Sequence, residues 1–251
     1  MSAAAPNLMA ADGRCLVVAI DHPLYSWPCP GLEDRAALLR AVSAAGADAV
    51  VTSYGTLRDL RDAFGSAAPI LKLDVTTLSV GGHYPVSEYR QAYALEDAVR
   101  LGAAAVLTYV QLGAAFELEA LRTAGNVAAR ADELGLPYVC EIMPVESEAY
   151  PDPADPVAIA AAARCAAELG ARVVKTTMPS PPEAVSEAAR CRVPVLLAGG
   201  DFSADGAELL DGVRRALESG ASGVAHGRNV WARPDPAAAV AALRSVVHPD
   251  G

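Results

Sequence analysis

The chain has 251 residues, 53% of them hydrophobic and 20% charged, which excludes a disordered polypeptide and leaves enough apolar material for a sizeable core. A formal net charge of −10 without any Lys/Arg run excludes nucleic acid as a partner, and no apolar run of about 18 residues is free of charge or glycine, so no membrane span is expected. Five cysteines, an odd number with no CxxC pair, fit reduced thiols in the cytoplasm better than a disulfide frame or a zinc site.

Residues 1–14 lack a basic segment followed by an apolar stretch, so they read as an N-terminal extension and not a signal peptide. A strand is predicted at 15–21 (CLVVAID), then a helix at 33–45 and a strand at 48–54 (DAVVTSY). The third strand, 69–75 (PILKLDV), is followed by a helix at 88–101 and a strand at 104–110 (AAVLTYV). A helix at 115–134, a strand at 137–143 (PYVCEIM) and a helix at 155–169 come next, with Asp155 as cap and Pro156 at the first helical position. The remaining strands are 172–177 (RVVKTT), 193–200 (VPVLLAGG) and 222–227 (SGVAHG), separated by helices at 181–190 and 204–219.

These runs are short, apolar and β-branched, as strands buried on both faces must be. Eight strand–helix repeats without a remainder favour closure over an open sheet, giving an α/β fold, a single (βα)8 TIM barrel over 15–247 in one domain. Four segments of the form G-A-x-x-V, starting at Gly46, Gly102, Gly170 and Gly220, precede the even-numbered strands. The glycine suits a helix C-cap with positive φ, whether the echo is a true repeat or common loop chemistry in an Ala-rich chain.

In such barrels chemistry sits at the C-terminal ends of the strands. Side-chain parity puts Lys72 with Asp74 on one face, and likewise Val173 with Lys175, Ala19 with Asp21 and Glu141 with Met143. A charge between strand and helix lacks a partner, so the lumen mouth is where these groups belong. Lys175, between valines and threonines, is then a partly desolvated amine. With Lys72 nearby as a second cation, its neutral form can attack a carbonyl. Otherwise it pairs with Asp21, Asp74 or Glu141 and plugs the mouth.

Gly199 and Gly200 follow the seventh strand, and Gly227 with Arg228 follow the eighth, which is where this fold grips phosphate. Arg228 either adds a direct charge or pairs with an acidic neighbour. His83 is a substrate contact or simply exposed. His22, His83, Glu141 and the aspartates offer few ligands for a metal in a chain of four histidines, so neither metal nor cofactor is expected.

Four stretches, AIDHP (19–23), VVKTTMP (173–179), the run from VPVLLAGGDFSADG to GVAHGRNVW (193–231) and the segment around the fourth strand, resemble the class I fructose-bisphosphate aldolases of archaeal type. These lie within the deoxyribose-phosphate aldolase-like group. The resemblance implies that Lys175 is the Schiff-base lysine, that Asp21 assists carbinolamine and proton-transfer steps, and that Gly199, Gly200, Gly227 and Arg228 grip phosphate. One departure stands out: the family's aromatic-x-Tyr-Pro pattern is replaced by Glu141, Met143 and Pro144, and its following arginine by Val145. A thioether cannot shuttle protons, so either Glu141 or Asp21 takes over the acid/base role, with Glu141 the better candidate, or the substrate or the reaction differs.

The expected function is thus a lyase making or breaking a C–C bond in a small phosphorylated ketose, with His22, Lys72 and Asp74 on the substrate. A lysine-dependent acyltransferase using coenzyme A and a non-catalytic sugar-phosphate binder are the alternatives. A homo-oligomer is expected.

Overall fold

The computed structural model describes residues 8–81 and 87–249; His83 lies outside them. The barrel strands are β1 (Cys15–Ala19), β2 (Ala49–Thr52), β3 (Ala68–Lys72), β4 (Ala105–Leu112), β5 (Tyr138–Pro144), β6 (Val173–Thr176), β7 (Val195–Ala198) and β8 (Gly223–His226). They are parallel and closed in the order β1-β8-β7-β6-β5-β4-β3-β2. The helices are α1 (Arg35–Ala44), α2 (Tyr54–Asp59), α3 (Leu95–Leu101), α4 (Glu117–Leu134), α5 (Pro156–Glu168), α6 (Val185–Ala189), α7 (Gly206–Glu218), α8 (Arg228–Trp231) and α9 (Pro236–Val247).

Alternation along the strands builds two apolar clusters. Val17, Val51, Ile70, Leu107, Val139 and Leu196 fill the lumen, while Leu16, Val50, Leu71, Val106, Cys140 and Leu197 pack beneath the helices. Leu8 joins the lumen cluster from below. The base is tied by His248, whose Nδ1 lies 2.7 Å from Asp12 Oδ2 and whose Nε2 lies 2.9 Å from Asp48 Oδ2.

Local sequence sets the boundaries. Gly46, Gly102, Gly170 and Gly220 have φ of 94°, 66°, 102° and 111°, so each G-A-x-x-V glycine turns the chain through the left-handed region. Asp155 accepts from Val157 N at 3.2 Å with Pro156 opening α5. Asp34, Asp205 and Asp235 cap α1, α7 and α9 in the same way.

Two predicted elements divide. Residues 69–75 do not form one strand: β3 ends at Lys72, and Asp74–Thr76 pairs antiparallel with Tyr89–Gln91 above the barrel. The break falls at Leu73, whose carbonyl accepts from Ala92 N (2.8 Å) and Tyr93 N (3.0 Å) instead of continuing the ladder. The helix predicted over 88–101 therefore begins only at Leu95. Tyr89 is fully buried and stacks on Phe116 with ring centroids 5.8 Å apart, which holds its segment extended. The helix at 181–190 is reduced to a 3-10 turn and the five-residue α6. α2 and α9 are absent from the predicted elements, although α9 has Asp235 as cap, Pro236 at its first position and Val240, Leu243 and Val247 buried at helical spacing.

Candidate active site

The lumen positions one step above the core carry polar side chains. Ile70 is followed on its face by Lys72, Leu107 by Tyr109, Val139 by Glu141 and Val173 by Lys175. The register pairs Glu141 with both Tyr109 and Lys175 across adjacent strands. Lys72, Tyr109, Glu141 and Lys175 thus form a polar ring at the mouth, opening into a cavity of about 770 Å³ that all four line.

Lys175 Nζ lies 2.5 Å from Glu141 Oε1, and both residues are buried. The amine is therefore paired with a carboxylate, but it faces the cavity as well. Lys72 Nζ lies 2.7 Å from Asp74 Oδ1 and 5.1 Å from the centre of the Tyr109 ring. Burial pulls the Lys72 ammonium down, but Asp74, Asp21 and Glu141 together lift it above the ordinary lysine range, so it stays charged. The second oxygen of Asp74 accepts from Tyr109 N at 2.5 Å. Burial, then Glu141, pushes the Tyr109 phenol above its ordinary value, while its oxygen accepts from Gln111 Nε2 at 2.9 Å.

Asp21 and Asp74 are completely buried and do not line the cavity; Asp74 acts through Lys72. Asp21 opens the 3-10 turn His22–Leu24, and its Oδ1 stands 3.8 Å from His22 Nδ1. His22 does line the cavity, its ring edge-on to Trp231 at 5.1 Å. Burial, then the charges of Lys175 and Arg228, push its imidazole down to about 3, so His22 faces the cavity as a neutral ring.

Gly199, Gly200, Gly227 and Arg228 lie together along the far wall. Gly200 has φ 64° and nothing within 4 Å of where a Cβ would stand. At Gly227 an added Cβ would stand 2.4 Å from His22 Cε1, so glycine there seats the histidine as well as baring the backbone. Arg228 Nη1 lies 2.5 Å from Asp201 Oδ1, the acidic-neighbour alternative, but that carboxylate is 92% exposed and competes with solvent. Arg228 Nε is buried with no partner among the described residues.

Several contributors carry no assignment from sequence. Asn229 donates its amide to Gly199 O (2.8 Å) and Asp201 O (2.9 Å) and accepts from Ser203 N (2.9 Å), pinning the loop after β7 to α8. Trp231 Nε1 donates to Ala19 O at 3.1 Å and fixes α8 over β1. Tyr109 is legible only as a polar residue near a strand end; the register to Glu141 gives it a place. Among the described residues no three His, Cys, Asp or Glu side chains converge to hold a metal ion, and no helix is long and apolar enough to cross a membrane.

This geometry has counterparts among known proteins. The chain is similar to 2-amino-3,7-dideoxy-D-threo-hept-6-ulosonate synthase of Halobacterium salinarum, at 35% identity over 97% of this chain and 90% of that protein. It is similar to the class 1 fructose-bisphosphate aldolase of Thermoproteus tenax, at 34% identity over 96% and 92%. A solved Schiff-base-forming fructose-1,6-bisphosphate aldolase superimposes with a TM-score of 0.86 at 31% identity, over 96% of this chain and 97% of that one. A family model described as DeoC/LacD family aldolase matches residues 15–233. The chain, a closed barrel with a lysine at its mouth, belongs to the DeoC/LacD aldolase family.

Proposed function

We propose that this class I aldolase uses Lys175 as its Schiff-base lysine, Glu141 as proton carrier, and the Gly199–Gly200 and Gly227–Arg228 turns to hold the phosphate of a small ketose. The observation that carries the reading is the Lys175–Glu141 contact of 2.5 Å at the wall of a cavity. A lysine paired with a carboxylate and walled in would be structural; one with space beside it can take a carbonyl carbon.

In cleavage, Glu141 accepts a proton from Lys175, and the neutral amine adds to the ketone carbon. The carbinolamine oxygen takes that proton back and leaves with a second one as water, giving the iminium. The hydroxyl proton of the carbon beyond the scissile bond passes to Glu141, the C–C bond breaks, and its electron pair moves into the iminium to give an enamine. The aldehyde departs, Glu141 returns its proton to the enamine carbon, and water hydrolyses the iminium to release the ketone. Tyr109, whose phenol stays protonated, donates to the aldehyde oxygen as it forms. Neutral His22 and the Lys72 ammonium hold substrate oxygens, and Asp21 orients His22 from behind.

Five free cysteines, four of them buried, support a cytoplasmic setting. Trp27, Leu78 and Val80, exposed together around the two-stranded piece Ser26–Trp27 and Ser79–Val80, support a homo-oligomer.

Lys175→Met tests the assignment. It is expected to abolish retro-aldol cleavage of phosphorylated ketoses while calorimetric binding of dihydroxyacetone phosphate persists. Retained turnover would remove Lys175 from the mechanism.

A further inference from the structure

Beside the phosphate turns, on the β5 and β6 side, the cavity changes character. In the closed barrel β6 neighbours β7 and β5 follows it, so the loops after β5 and β6 form one side wall next to the loop after β7. That side wall is made by Met143 and Pro144 at the end of β5, Val145 and Pro153 from the loop after it, and Met178 from the loop after β6, with the polar Gln111 beside Met143 in the register and Thr177 beside Met178. Glu146, exposed at the rim, is the charge this wall carries. The cations lining the cavity among the described residues are Lys72, Lys175 and Arg228, and none comes from this loop. Lys175 is paired with Glu141 within the polar ring, Lys72 is backed by the buried Asp74 on the β3 side, and Arg228 stands at the phosphate turns.

A second phosphate on this side would meet thioethers, prolines and a valine, with one amide, one hydroxyl and a carboxylate beside them. A dianion there loses its hydration and gains no counter-charge. An apolar chain on the same wall releases water from both surfaces. The cavity, at about 770 Å³, has room for such a chain beyond a three-carbon phosphate.

Resting on the Schiff-base reading above, we infer that the aldehyde partner in carbon–carbon bond formation is uncharged and apolar, and that the phosphate belongs to the ketone donor alone. Glu141 takes a proton from the carbon beside the Lys175 iminium to give the enamine. That carbon attacks the aldehyde carbon, the aldehyde oxygen takes the proton from Glu141 and becomes the hydroxyl of the adduct, and water hydrolyses the re-formed iminium to release the ketone end and free Lys175.

The test uses the whole chain with dihydroxyacetone phosphate as donor and two kinds of acceptor: linear aldehydes of rising length and glyceraldehyde 3-phosphate. Borohydride trapping of the donor alone, read by mass, serves as the check on the imine. The expected result is a trapped imine, with kcat/KM rising roughly fourfold per methylene until the wall is filled. The apolar aldehydes should exceed glyceraldehyde 3-phosphate by about tenfold or more, and Val145→Arg should reduce that preference by about tenfold. A trapped imine with a flat series, or with the phosphorylated aldehyde preferred, overturns the inference and leaves the Schiff-base reading standing. Failure to trap overturns that reading and the inference with it. Should Val145→Arg not fold, the wild-type series decides alone.

Discussion

Glu141 and Lys175 sit at adjacent register positions of β5 and β6, and that adjacency brings amine and carboxylate to 2.5 Å, the contact on which the proposed proton transfer rests. Glu141→Gln retains the shape and loses the proton capacity, so kcat is expected to fall by roughly 10²–10³-fold with little change in KM, measured by steady-state cleavage of a phosphorylated ketose. A kcat within a few-fold of wild type would move the acid/base role to Tyr109. Position along a strand and parity make Lys72, Glu141 and Lys175 legible from sequence, because residues two apart share a face. Sequence does not tell which charges meet. The pairs Lys72–Asp74 and Arg228–Asp201 depend on loop paths, and Asn229 binds two carbonyls of a distant loop.

At the scale of elements, the barrel depends on glycines that turn helix into strand. Gly170 has φ 102°, and a Cβ there would stand 3.2 Å from the Ala128 Cβ. Gly170→Ala is therefore expected to lower stability by roughly 1–3 kcal/mol, read as a reduced urea midpoint. Asn229→Ala frees the loop after β7 from α8; its expected signature is a KM for phosphorylated substrate raised about tenfold, with a smaller change in kcat. The strands and long helices are legible because burial on both faces and on one stripe leaves distinct patterns. The split after Lys72 is not, since Leu73 and Val75 continue the apolar alternation of β3. Only the bonds from Ala92 and Tyr93 to the Leu73 carbonyl show where the chain leaves the barrel.

For the whole molecule, two histidines buried as neutral rings govern acid sensitivity. His226 is completely buried, and desolvation, with Lys175 adding, pushes it down to about 4; His22 is pushed down to about 3. In the unfolded chain both titrate near 6.5. Below that value the unfolded state takes up protons that the folded state refuses, so this stability is complete above pH 6.5 and is lost progressively as pH falls toward the folded values. At pH 5 the loss is roughly 2 kcal/mol per histidine. His226→Asn should flatten the fall in urea midpoint between pH 7 and pH 4, and an unchanged slope would contradict the burial argument. The closed topology was legible from the count of strands, whereas the burial of His226 beneath Gly199 was not, because a histidine at a strand end reads equally well as a site residue.

The most direct measurement is the mass of the peptide carrying Lys175 after borohydride reduction in the presence of dihydroxyacetone phosphate. The predicted result is one reduced donor adduct on Lys175, absent without borohydride and absent in Lys175→Met. An adduct on Lys72, or no adduct on a folded protein saturated with donor, would contradict the mechanism.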